Sequence, residues 1–240
     1  MIRKNQYTCA VDQRFPSDDV RFTLRLPLPT IVGGEAQKPS LKSRDRPADT
    51  TTPVVDRIVT VPFTAVIDDE KTFAWKLQNS PFYDVERTVY YDLLVHSDNP
   101  TSRAAKATSK VTTGIGQQSS EYFSLTTGIK VTAEAGVKAG IFSSKAAIEM
   151  SKELGYATGS TTSAFKEETV LAELIVPPQH SGALWMEAHD IHLIRADNTT
   201  VGSPLSFKES NTSYLLGQFP PPLEGSSGTV KQRRLASRLR

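Results

Sequence analysis

Between Thr101 and Val176 the chain has no proline, although it carries 15 in all, nine before this stretch and six after it. Proline donates no ladder hydrogen bond, so a long run without it suits strands paired on both edges. The same stretch lacks Cys, His and Trp, and between Thr108 and Ala164 it holds 18 Ser or Thr in 57 residues. This is the composition of extended, polar-surfaced β-structure, and it makes the middle of the chain the place to look for function.

The flanking segments read as strands and turns. Val20 to Leu28 alternates apolar with polar residues, with Pro27 and Pro29 making it an edge or a strand end. Glu35 to Pro53, with three prolines and no periodicity, reads as a mobile linker. Arg57 to Val66, Thr72 to Leu77 and Glu86 to His96 follow as strand candidates, and Ser97-Asp98-Asn99-Pro100 ends the last. Lys106 to Thr113 and Glu121 to Thr127 read as exposed strands, and Ala164 to Val176 as the return, stopped by Pro177-Pro178. Ala183 to Arg195, Leu205 to Phe207 and Tyr214 to Phe219 complete the β-rich series. The expected division is 1–56 as strand plus linker, 57–222 as body, and 223–240 as a flexible basic tail.

Charge and motifs exclude several functions. Lys231, Arg233, Arg234, Arg238 and Arg240 give the last ten residues +5 of a net +2, so the body is slightly acidic and follows no nucleic-acid backbone. One cysteine, Cys9, allows no internal disulfide. Met1 to Gln13 has no apolar core of a signal peptide, and no apolar run reaches 18 residues. On a strand His189 and His192 point to opposite faces, which argues against a shared metal ion. There is no nucleophile elbow or phosphate-cradling glycine loop. The expectation is a non-enzymatic protein with no cofactor. Trp75, Phe82, Tyr83, Tyr90 and Tyr91 cluster as core, or as a sugar- or membrane-facing patch.

Within the proline-free stretch, Ile129 to Leu154 can close on itself. With Ser143-Ser144 as a two-residue turn, Ile141 faces Ala146, Ala139 faces Ile148, Val137 faces Met150, Ala133 faces Leu154 and Val131 faces Tyr156. Ile129 extends this face, and Ala135 meets Lys152 on it. On the other face Lys138 meets Glu149 as an ion pair, while Glu134 meets Glu153 unfavourably. About ten residues per strand is the length of a transmembrane β-strand. An ordinary amphipathic hairpin packed on a sheet has the same pattern. A further alternative for the second half is a short helix, with Ser144 as N-cap and Gly155 just past its end.

The order of a Ser/Thr-rich strand (Tyr122 to Gly128), an alternating insertion (Ile129 to Met150), a second Ser/Thr-rich stretch (Thr158 to Ala164), a charged return (Phe165 to Val176) and Pro177-Pro178 resembles the pore-forming module of aerolysin-type β-pore-forming toxins, including insecticidal members. The likeness covers roughly Glu86 to Phe219. It implies a mainly β, elongated protein with long twisted antiparallel strands and an amphipathic hairpin. It also implies a chain released from its producing cell, which binds an unknown receptor (a glycan among the candidates), forms a homo-oligomer and inserts one hairpin per copy into the target-cell membrane. Tyr122, Phe123 and Tyr156 would then stand at the bilayer interface. Lys231 to Arg240, with Arg44, Arg46 and Arg57, offers trypsin-like cleavage points for activation. The alternative is a β-rich binding or structural module that never enters a membrane.

Overall fold

Strand follows strand through most of the described residues, and among them every strand pairing is antiparallel. The computed structural model describes residues 30–132, 136–139, 150–156, 165–209, 214–221 and 230–234. The strand expected at Val20 to Leu28 lies outside them.

The main sheet is built from β1 (Thr30–Val32), β2 (Val54–Pro62), β3 (Phe82–Asn99), β8 (His180–Arg195) and β10 (Leu215–Phe219) in that order, with β9 (Leu205–Lys208) also on β8. Its spine is the β3–β8 pair, in register from Tyr83↔Arg195 to Asn99↔His180. At about 3.3 Å per residue the 18 residues of β3 make a ribbon of about 60 Å. A second sheet orders β11 (Val230–Arg234), β7 (Glu168–Val176) and β4 (Ala105–Thr113). The third is a two-stranded unit, β5 (Ile129–Thr132) with β6 (Gly136–Ala139).

Two bulges let one long ribbon serve several cores. Between Leu93 and Val95 the register slips by one, so Leu94 packs with Val111, Val170 and Met186 beneath the second sheet. Val89 and Tyr91 instead meet Ala183, Trp185, Ala36 and Leu41. The other bulge, between Val55 and Arg57, leaves Asp56 as the extra residue. Its carboxylate turns to Arg87, whose Nε donates to it at 2.9 Å; re-aiming a side chain is what a bulge does. Where β3 ends, the Asn99 amide donates to the carbonyls of Arg103, Val176 and Pro177. That side chain fastens the two proline-bracketed strand ends together.

Four expectations need correcting. Thr72 to Leu77 is not a strand: Thr72 Oγ1 accepts from the Trp75 amide and caps α1 (Phe73–Asn79). Glu121 to Thr127 belongs to helix α2 (Gln117–Thr127), which buries Ser120, Phe123 and Thr127 at helical spacing. Glu35 to Pro53 has little regular structure, but it is packed, with Ala36 and Leu41 buried against Trp185. Residues 230–234 of the expected flexible tail form β11 on β7. The edge of β7 opposite β4 supplies a ladder there, and a basic sequence does not prevent backbone pairing.

Candidate functional site

β4 leads into the proline-free insertion and β7 leads out, and the two pair directly, with Thr113 opposite Glu168. Residues 114–167 therefore leave and re-enter the sheet at adjacent points. Inside this excursion α2 comes first. It ends at Gly128, whose φ of 73° is left-handed and whose N–H bonds the Ser124 carbonyl; that is the conformation that terminates helices and suits glycine. The Thr127 hydroxyl donates to Phe123 O and accepts from Ile129 N, passing the chain from helix into β5.

The pairing that follows differs from the long hairpin. Ile129 faces Ala139, Lys130 faces Lys138 and Val131 faces Val137, so the partner strand begins at Gly136 and not beyond Ser143-Ser144. Val131 does not meet Tyr156, Val137 does not meet Met150 in a ladder, and Lys138 faces a like charge. The physical reason is that alternation with period two leaves register open: apolar odd-numbered positions oppose each other as well by folding early as by pairing with a distant segment. Met150 to Glu153 is helical, in line with the helical alternative. Gly155, at φ 83°, closes that turn, with N–H bonds from Leu154 to Met150 O and from Tyr156 to Ser151 O. Ala133, Ala135, Ile141, Ala146, Ile148 and Glu149 lie outside the described residues.

The apolar side of this unit faces inward. Ile129, Val131, Val137, Ala139, Met150 and Leu154 are each no more than 1 % exposed and join the main core with Tyr83, Ile191 and Phe207. Buried hydroxyls fix it from both sides: Ser120 donates to Val131 O, and Ser151 Oγ accepts from Val137 N at 2.8 Å. Of the expected interfacial aromatics only Tyr122 is exposed; Phe123 and Tyr156 lie in the core. Phe123 is inside because α2 turns it there, and Tyr156 because it packs edge-on to Phe165 at 4.9 Å.

Tyr156 also closes a polar chain. Its hydroxyl is 3.2 Å from His189 Nδ1, and His189 Nε2 is 3.0 Å from Glu187. The tautomer that satisfies both has Nε2–H donating to Glu187 and the tyrosine donating to Nδ1. That hydrogen bond from His189 outweighs burial and holds the Glu187 carboxyl below its ordinary range, while burial pushes the Tyr156 phenol up. The Arg87 guanidinium lies 5.1 Å over the Tyr156 ring and is neutralised by Asp56. His189, Glu187, Arg87 and Asp56 had no local sequence signal for this role. They converge through register across β2, β3 and β8, which no short window of sequence reveals.

Among the described residues no group of three or more His, Cys, Asp or Glu is placed to hold a metal ion. No described helix is long and apolar enough to cross a membrane, which leaves β-structure unaddressed.

Comparison with known proteins locates this architecture. A family model described as Insecticidal Crystal Toxin, P42, matches residues 55–208, from β2 to the end of β9. Among solved structures, that titled Crystal structure of Cry35Ab1 is similar with a TM-score of 0.58 at 16 % identity, covering 82 % of this chain and 54 % of that one. The chain thus spans about half the length of that structure, and at this identity the likeness establishes the mainly β, antiparallel fold. No curated protein matches in sequence.

Proposed function

From the premise that this chain belongs to the insecticidal crystal toxin P42 family, we propose that it permeabilises target membranes. A soluble form is released from the producing cell, binds a target-cell membrane through a receptor, assembles with further copies, and re-pairs residues 129–154 into a bilayer-crossing β-hairpin. Ring closure matters because a lone hairpin in lipid leaves unpaired N–H and C=O groups on both edges. The reading is non-enzymatic.

The observation that carries it is the direct β4–β7 pairing across residues 114–167. Among the described strands β5 and β6 pair only with each other, so the unit can leave without breaking the ladder of either larger sheet. β4 and β7 would then lead into the two hairpin strands through residues 114–128, which include α2, and 155–167. Insertion requires Lys138 to exchange Lys130 for Glu149 as its cross-strand neighbour, and Val131 to exchange Val137 for Tyr156. The deep burial of Ile129, Val137 and Leu154 favours a second reading, in which the unit stays in the core and the chain is a β-rich binding module.

A disulfide separates the two. In a Cys9→Ser background, Lys130→Cys with Lys138→Cys joins directly opposed positions of the stored form. On one extended hairpin strand the same positions lie about 26 Å apart, far beyond the reach of an S–S bond. The oxidised protein is expected to release no dye from target-membrane vesicles, and to regain release on reduction. Release by the oxidised form at the unlocked rate would exclude insertion of this segment.

A further inference from the structure

The connection from β2 to β3 is longer than its geometry requires. Pro62 and Phe82 oppose each other, so a turn of two to five residues would suffice, yet residues 63–81 intervene. They leave large apolar side chains in solvent. No residue of α1 is buried, and Phe73 and Leu77, one turn apart on the same side, are 68 % and 58 % exposed. The Phe73 ring stands edge-on to Phe63 at 5.3 Å. Phe63 in turn bonds through its N–H to Pro81 O, beside the exposed Phe82.

This excursion is firmly mounted. Arg195 donates from Nε and Nη2 to the buried Asp68 at 2.8 and 2.9 Å, and from Nη2 to Glu70 at 2.7 Å. Tyr83 donates to Asp68 at 2.7 Å, and Ser80 Oγ accepts from Ala196 N. The Asp68 and Glu70 carboxylates are thus held by Arg195, while Asp69 between them is exposed. Lys71 lies 4.8 Å over the Trp75 ring, and Lys76 sits in the last turn of α1.

We propose that α1 is a membrane-contact platform, with Phe73, Leu77 and Phe82 entering the interfacial layer of an anionic lipid surface and Lys71 and Lys76 facing its headgroups. Rigid display of phenylalanine, leucine and tryptophan beside lysine is the composition of elements that lie in a bilayer interface. A second copy or a protein partner engages about 20–30 residues a side, and two helical turns supply a handful. This concerns contact before insertion, and it rests on the proposed function only for the existence of a target membrane.

The test uses full-length protein and dye-loaded vesicles of phosphatidylcholine and phosphatidylglycerol, with binding read by flotation. The chain has two tryptophans; Trp185 is buried at 1 % exposure, so brominated lipid chains report on Trp75. Vesicle binding with quenched Trp75 emission is expected. Leu77→Ser, and Phe73→Ser with Leu77→Ser, should each retain the thermal midpoint, the double variant binding about tenfold more weakly, and Leu77→Trp should bind more tightly. Absence of binding, unquenched emission, or a double variant with unchanged affinity overturns the platform. So does a concentration-dependent dimer that the same substitutions abolish. Dye release indifferent to these substitutions removes the platform and leaves the pore; quenched, bound protein that releases no dye does the reverse.

Discussion

The Tyr156 hydroxyl donates to Nδ1 of His189 across 3.2 Å, joining the end of the stored segment to the central strand β8. Glu187 fixes the other ring nitrogen and Arg87 covers the phenol ring, and both bonded side chains are buried. The bond ties Tyr156 to the body, and any departure of the segment would break it.

Tyr156→Phe keeps the ring among Phe165 and Phe207 and removes only the donor. A loss of about 1 kcal/mol is expected, read as a lower urea midpoint with unchanged slope. Dye release, if it requires undocking, should become faster.

Lys138→Glu separates the observed pairing from the proposed inserted one. It replaces a like-charge neighbour of Lys130 with an attractive one, worth about 0.2–1 kcal/mol in a cross-strand pair. In the hairpin it would set two glutamates, at 138 and 149, against each other. Thermal stability should rise slightly while dye release falls; a rise in both would contradict the exchange of partners.

Asp68→Asn tests the mounting of α1. Burial alone would raise the Asp68 pKa, but hydrogen bonds from Arg195 and Tyr83 outweigh it and hold the carboxyl below its ordinary range. The folded-state value thus lies under the unfolded one, near 3.9. Its stabilisation is full above that value and is lost as pH falls through the lowered folded value. The substitution should cost about 3 kcal/mol near neutrality, since it breaks a buried pair on one side. Below about pH 4 the midpoints of the two proteins should converge.

Gly155→Ala is expected to destabilise by about 1–2 kcal/mol. Its φ is left-handed, and an added Cβ would come 2.9 Å from Nη1 of Arg87. Because Asp56 pins that guanidinium, it cannot swing aside freely. Urea titration of the variant provides the check.

The long strands were legible because Val89, Tyr91 and Leu93 alternate without competition from other signals, although the register slip before Val95 that ends this face was not. α2 was not, since its serines and threonines read equally well as exposed strand. The bracket of Gly116 and Gly128 around the buried Ser120, Phe123 and Thr127 was the available clue. Thr72 was read as a strand residue although Ser, Thr, Asp and Asn are also helix caps, a local ambiguity that only the Trp75 amide resolves. Lys106 to Thr113 and the return to Val176 were legible as flanks of the proline-free stretch, and they pair; the register between them was not, because period-two alternation distinguishes faces and not partners. The Asp56–Arg87 and Asp68–Arg195 pairs join residues 31 and 127 apart, so neither leaves a mark in local sequence.

The second sheet has two dissimilar rims, β4 on one side of β7 and β11 on the other. Both run antiparallel to β7 and so parallel to one another. If copies were to join with β11 of one against β4 of the next, they would meet head to tail. Such contacts never satisfy themselves in pairs: they propagate until the rotation per copy closes a circle, or without end when it does not. A truncation that strips β11 changes the geometry of that arithmetic, by making β7 the rim.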